Sequence, residues 1–142
     1  MLYVEDADGS QWLRVVEAMS EQTAYDMVLC LYPDSPPDAF LEPFVSPQSQ
    51  EDFERVTAYE DETEPPCSER LRVTPDVLDV LRPHLGDFED WGDSLILYPL
   101  RERTWTAAFI PHERIVLIRD GRLRDYLDAA GVPVRLEAPE GW

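Results

Sequence analysis

Three short runs near the end of the chain, SLILYP (94–99), TWTAAFIP (104–111) and RIVLIRD (114–120), restrict the fold more than any other feature. Each is rich in β-branched and aromatic residues, and little more than RER and HE separates them. Connections that short cannot carry a crossover, so the runs are expected to pair antiparallel as a meander.

The flanking segments extend this pattern. Met1 to Glu5 alternates, and Asp8-Gly9 reads as a turn into QWLRVVEA (11–18), which together predict an N-terminal hairpin. Ser20 is placed to cap a helix over Glu21 to about Leu31, although the alternation of TAYDMVLCLY suits a strand equally well. Thr74-Pro75-Asp76 is a helix start, with a capping hydroxyl, proline in the first turn and an acid near the dipole's positive end. Pro83 stops or kinks that helix near Arg82. RLRDYLDAAG (122–131) predicts an amphipathic helix with Leu123, Tyr126 and Leu127 inward and Gly131 as its stop. VPVRL (132–136) is expected as an edge strand, the position that tolerates Pro133.

Prolines at 33, 36, 37, 43 and 47 make 33–48 irregular, with one helical turn expected in DAFLEPF. A short helix is expected from Ser49 to Tyr59, followed by an acidic loop at 59–69. No repeat or linker divides the 142 residues. The expectation is a single α+β domain, 1–142, whose antiparallel sheet (N-terminal hairpin plus C-terminal meander) carries helices on one face.

Charge supplies the functional clue. The net charge is −18, every cation is arginine, and there is no lysine. Residues 1–100 hold 23 acids and five arginines, whereas residues 101–142 hold seven of each. The whole excess therefore lies in the first hundred residues, which a uniform adaptation to salt would not produce. Two pieces concentrate it. Glu51 to Glu69 has eight acids against Arg55 and includes YEDETEPPCSER (59–70); GDFEDWGD (86–93) interleaves four acids with Phe88 and Trp91. Carboxylates around aromatic anchors suit the grip of an Arg/Lys-rich protein face. The candidate contacts are Glu60, Asp61, Glu62 and Glu64 from the first piece, and Asp87, Phe88, Glu89, Asp90, Trp91 and Asp93 from the second.

Catalytic signatures are missing: GxGxxG, GxxxxGK[ST], HExxH, GxSxG and CxxC do not occur. His84 reads as a residue at a helix end, and His112 as one in a turn between strands. Cys30, Cys67, His84 and His112 are not spaced as zinc ligands, and the acidic loop lacks the DxDxDG turn that organises calcium. No catalytic residue, metal or cofactor is expected. Cys30 reads as a buried small hydrophobe and Cys67 as a thiol in an acidic loop, with no disulfide required. Nothing in the sequence reads as a signal peptide or membrane anchor, so a cytoplasmic protein is expected.

A strongly anionic surface repels nucleic acid and anionic lipid and steers cationic partners. The expectation is thus an acidic, non-catalytic binding protein that neutralises a basic partner, in the manner of a bacterial immunity protein or antitoxin-like inhibitor of a toxin or nuclease domain. A DNA mimic acting on DNA-binding proteins is the alternative within this class. A structural or adaptor domain whose acidity serves solubility is the alternative outside it. The sequence leaves the oligomeric state open.

Overall fold

The computed structural model describes residues 1–31, 53–56, 68 and 70–141; of Trp91 only the backbone is described. Six strands form one sheet in the order β1-β6-β5-β4-β2-β3, and every neighbouring pair is antiparallel. The strands are β1 (Leu2–Val4), β2 (Tyr25–Leu31), β3 (Leu71–Arg72), β4 (Gly92–Pro99), β5 (Ala107–Ile110) and β6 (Ile115–Ile118). Helices α1 (Gly9–Ser20), α2 (Pro75–Leu81), α3 (Phe88–Trp91) and α4 (Arg124–Ala129) complete the described elements, with 3₁₀ turns at Arg82–His84 and Gly121–Leu123.

The meander is present as β4-β5-β6, paired through Leu97↔Ala107 and Ala107↔Ile118. The N-terminal hairpin is not. Asp8 begins a helix instead of a turn: its carboxylate accepts from Gln11 N (2.9 Å) while the Gln11 side chain accepts from Asp8 N (3.1 Å). This reciprocal pair is a capping box, and it satisfies two donors that a helix start leaves open. Downstream, Trp12, Val15, Val16 and Met19 recur at helical spacing, and all four are buried. The segment QWLRVVEA, read as the hairpin's second strand, follows a 3.6 period instead. β1 pairs with β6 in place of the neighbouring segment.

The expected helix over Glu21–Leu31 is likewise a strand, and Ser20 is the last residue of α1 instead of a cap. Period-two alternation prevails because β2 is interior to the sheet and apolar on both sides: Met27, Leu29 and Leu31 face the helices, while Val28 and Cys30 face the opposite way. VPVRL contributes a single bridge, Tyr3↔Arg135, along the outer edge of β1. The α2 start is as read: Thr74 Oγ1 accepts from Val77 N, with Pro75 in the first turn. α4 lies where expected, shortened by the 3₁₀ turn before it, and Gly131 adopts φ +83° just beyond it, a conformation an L side chain resists.

All four helices pack on one face of the sheet. That core joins Trp12, Val16 and Met19 of α1, Leu78 and Leu81 of α2, Phe88 and Leu127 to inward residues such as Leu95, Leu97, Phe109 and Val116. Trp12 stacks on Phe109 with ring centroids 5.9 Å apart. The opposite face is also buried, through Val28, Cys30, Ile96, Tyr98, Ala108, Ile110 and Leu117 with Phe53 and Trp105. Residues 53–56 are neither helix nor strand, which corrects the helix expected there; the remainder of that helix, the DAFLEPF turn and the Pro-rich segment lie outside the described residues. Cys30 is wholly buried and disulfide-bonded, where the sequence reading required no bridge.

One glycine tests the packing of α1. A Cβ on Gly9 would lie 2.4 Å from Leu85 Cβ, whereas a Cβ on Gly86 would meet nothing within 4 Å. Alanine in a helix ordinarily gains about 1 kcal/mol over glycine. Gly9→Ala is expected instead to cost about 1–3 kcal/mol through the forced clash, while Gly86→Ala stays within about 0.5 kcal/mol of wild type. Urea denaturation midpoints of the two variants check this.

Candidate functional site: an acidic corner and the arginine end of the sheet

The connection between β2 and β3 spans 32–70 and holds eleven acids against Arg55 and Arg70. Its net of −9 is half the charge of the chain. Two of its described pieces are fastened to the same part of the sheet. Val56 O accepts from Ser94 Oγ (2.9 Å) at the start of β4. Ser68 is fully buried; its N–H donates to Leu29 O and its Oγ accepts from Leu29 N, both at 2.9 Å. Leu29 and Cys30 face Leu95 and Ser94 across the β2–β4 ladder, so both tethers meet at one corner.

α3 leads into that corner. Asp87, Glu89 and Asp90 are exposed on it, and Asp87 Oδ2 lies 3.6 Å from His84 Nδ1. Phe88 is not a surface anchor, since it is wholly buried in the helix-side core. A Cβ on Gly92 would lie 2.7 Å from Phe88 Cδ1, so glycine is what lets this ring sit against the strand. Asp93 is 3% exposed on β4. Phe88 and Asp93 are therefore removed from the contact set by a helix that turns one aromatic inward and a strand that follows at once. The Trp91 side chain and Glu60, Asp61, Glu62 and Glu64 lie outside the described residues.

The other end of the sheet gathers arginines and aromatic rings. Arg119 lies 3.8 Å above the Trp105 ring and forks onto Glu54 at 2.6 and 2.8 Å. Its hydrogen bonds are the main reason the Glu54 carboxyl is held below the usual range, against the opposing effect of burial. Glu54 also donates its N–H to Arg103 O (2.9 Å) and accepts from the Tyr98 hydroxyl at its carbonyl (2.6 Å). Phe53 packs edge-on to Tyr98, and the Arg70 guanidinium covers that ring at 5.0 Å. Arg70 donates to Pro99 O (3.0 Å) and pairs with Asp26 at 3.3 Å. That Nε contact has the distance of an ion pair without hydrogen-bond alignment, so it is an electrostatic contact only. Burial, chiefly, raises the Tyr98 phenol.

Tyr25, Trp105, Thr106, Arg119 and Arg122 line a cavity of about 560 Å³ here. It is not a cationic cleft: Arg119 is taken by Glu54, and Arg122 by Asp120 at 2.9 and 3.0 Å. Guanidiniums whose forks are already filled make poor phosphate receptors. His112 is exposed in the β5–β6 turn, and among the described residues no group of His, Cys, Asp or Glu could hold a metal ion.

This arginine–aromatic cluster escaped the sequence reading because its partners lie far apart along the chain. A hairpin register for 104–119 would have placed Arg119 opposite Thr106 and next to Trp105, as Arg119 N donating to Thr106 O shows. Nothing local points to Glu54. No protein-family model, no curated protein and no solved structure matches the chain.

Glu54 gives a pH prediction. A carboxyl with a lowered folded pKa contributes stability above its unfolded value, 4.5, and loses that contribution as pH falls through the folded value. Glu54→Gln is expected to lie below wild type in melting temperature at pH 7 and to converge on it in strong acid. The effect is small because the pair is partly solvated. Thermal melts from pH 7 to pH 2 check the convergence, and a constant offset would contradict the assignment.

Proposed function

We propose that this chain is an acidic, non-catalytic binding protein that docks on a basic protein and neutralises it, in the manner of an immunity protein or antitoxin-like inhibitor. The observation that carries the reading is the charge of the β2–β3 connection, half of the chain's total, together with its tethers at Val56 and Ser68. These meet the sheet at the corner into which α3 leads, with Asp87, Glu89 and Asp90 exposed. Like charges carried by that connection and by Asp87, Glu89 and Asp90 raise the negative potential and speed encounter with a cationic surface. At the far end Arg119 offsets one of these charges by pairing with Glu54, whereas Arg122 is paired with Asp120, outside the connection. Enzymes that cut nucleic acids hold phosphates in basic clefts, and such a cleft is the surface this corner would complement.

The test starts from affinity capture with the intact chain at moderate salt, followed by kinetics with the captured basic protein. In the triple variant Asp87→Asn, Glu89→Gln and Asp90→Asn, association is expected to slow by about tenfold at low ionic strength, with a flatter salt dependence and little change in dissociation. An unchanged association rate in a folded triple variant defeats the reading. Capture of several unrelated DNA-binding proteins would favour DNA mimicry instead.

A further inference from the structure

Cys30 sits near the end of the β2–β4 ladder, opposite Ser94, with no exposed surface and its sulfur in a disulfide. The sequence holds one other cysteine, Cys67, which itself lies outside the described residues. Its chain neighbour, Ser68, is described, fully buried and doubly hydrogen-bonded to Leu29, the neighbour of Cys30. Residues adjacent to each cysteine are thus locked together by one backbone hydrogen bond and one from Leu29 N to the Ser68 hydroxyl. Between the cysteines, residues 31–66 carry ten acids and a single arginine, Arg55.

We infer that Cys30 and Cys67 form a disulfide that closes residues 31–66 into a covalent loop, a redox-sensitive clip fastening the acid-rich connection to β2. Where the loop serves binding, the inference rests on the proposed function; the clip itself does not. Closing a long loop restricts the unfolded chain and also limits how far the connection can open while the sheet stays folded. A dithiol reductant opens it in two steps. One thiolate attacks a sulfur of the bridge to give a mixed disulfide. The second thiol then displaces it, so that the reductant leaves as its own disulfide and both cysteines end as thiols. Two electrons and two protons pass from reductant to protein. Structural bridges of this kind persist in oxidising compartments, which sets the clip against the expectation of a cytoplasmic protein.

The inference makes the covalent attachment of the acid-rich connection to β2 conditional on redox state. It also gives the buried Cys30 a role that packing alone does not. Substituting Cys30 perturbs a packed face, so the variant of choice is Cys67→Ser, with reduced wild type as a second route to the open form.

Thiol counting comes first. Protein purified without reductant and unfolded in the presence of iodoacetamide is expected to take up no label, and two labels per chain after reduction, the sequence having two cysteines. Two labels without reduction overturn the inference. A Glu-specific protease then probes the connection, which offers Glu42, Glu51, Glu60, Glu62 and Glu64. Cleavage there is expected to quicken by about tenfold or more in reduced wild type and in Cys67→Ser, with far-ultraviolet circular dichroism unchanged. Melting temperature is expected to drop on the order of 10 °C in both. Equal cleavage rates in oxidised and reduced protein overturn the clip. Because neither readout uses a partner, failure of the inhibitor reading leaves them unmoved.

Discussion

The structure depends on a sheet that is apolar on both faces. β5 and β6 are buried along their whole length, and β4 from Gly92 to Tyr98. Antiparallel sheets commonly turn one face to water and show it as alternating polar residues. These strands do not alternate, so each face needs its own cover. The helices supply one cover, and α1 has the largest part in it because β1 and β2 run the same way with three strands between them. Their connection must pass over the sheet, and an amphipathic helix buries its apolar stripe in doing so. On the other face, residues 53–56 with Trp105 are the described cover, and their polar atoms are answered by Ser94, Tyr98, Arg103 and Arg119.

That second cover links fold to charge. The segment that supplies Phe53 and Val56 to the core belongs to the connection that carries half the net charge. Phe53, Val56 and a few hydrogen bonds bind its described residues to the sheet. Glu54, the acid among them, is placed against Arg119. A connection held this way can carry like charge at modest cost, since repulsion between solvated carboxylates is screened over about 8–10 Å. The arginines serve the fold: Arg70 and Arg119 cover Tyr98 and Trp105, tie loops to strands and occupy their charge on Asp26 and Glu54.

Misreadings near the N-terminus have a common cause. Asp8-Gly9 is a strong turn signal, but Asp8 with Gln11 is an equally good capping box, and the two differ only in where residues 12–19 find partners. Trp12 stacks on Phe109 of β5, and Val16 and Met19 share one core with Leu95, Leu97 and Val116, all far along the chain. The strand β2 won over a helix for the same reason, with Met27 and Leu29 needed on one face and Val28 and Cys30 on the other. At α3, four acids around Phe88 and Trp91 looked like a rim with two anchors, yet one turn of helix was enough to send Phe88 inward.

The sequence by itself determined the elements whose signals are local: the three-strand meander, the Thr74-Pro75 helix start, the stop at Gly131 and the skew of charge. Each depends on residues within a few positions, where backbone sterics, capping and period decide the outcome. Tertiary structure alone decided which strand β1 joins, which acids near α3 stay outside, and that Glu54 meets Arg119 across the sheet. Those outcomes follow from burying two apolar faces at once, a condition no short window of sequence contains.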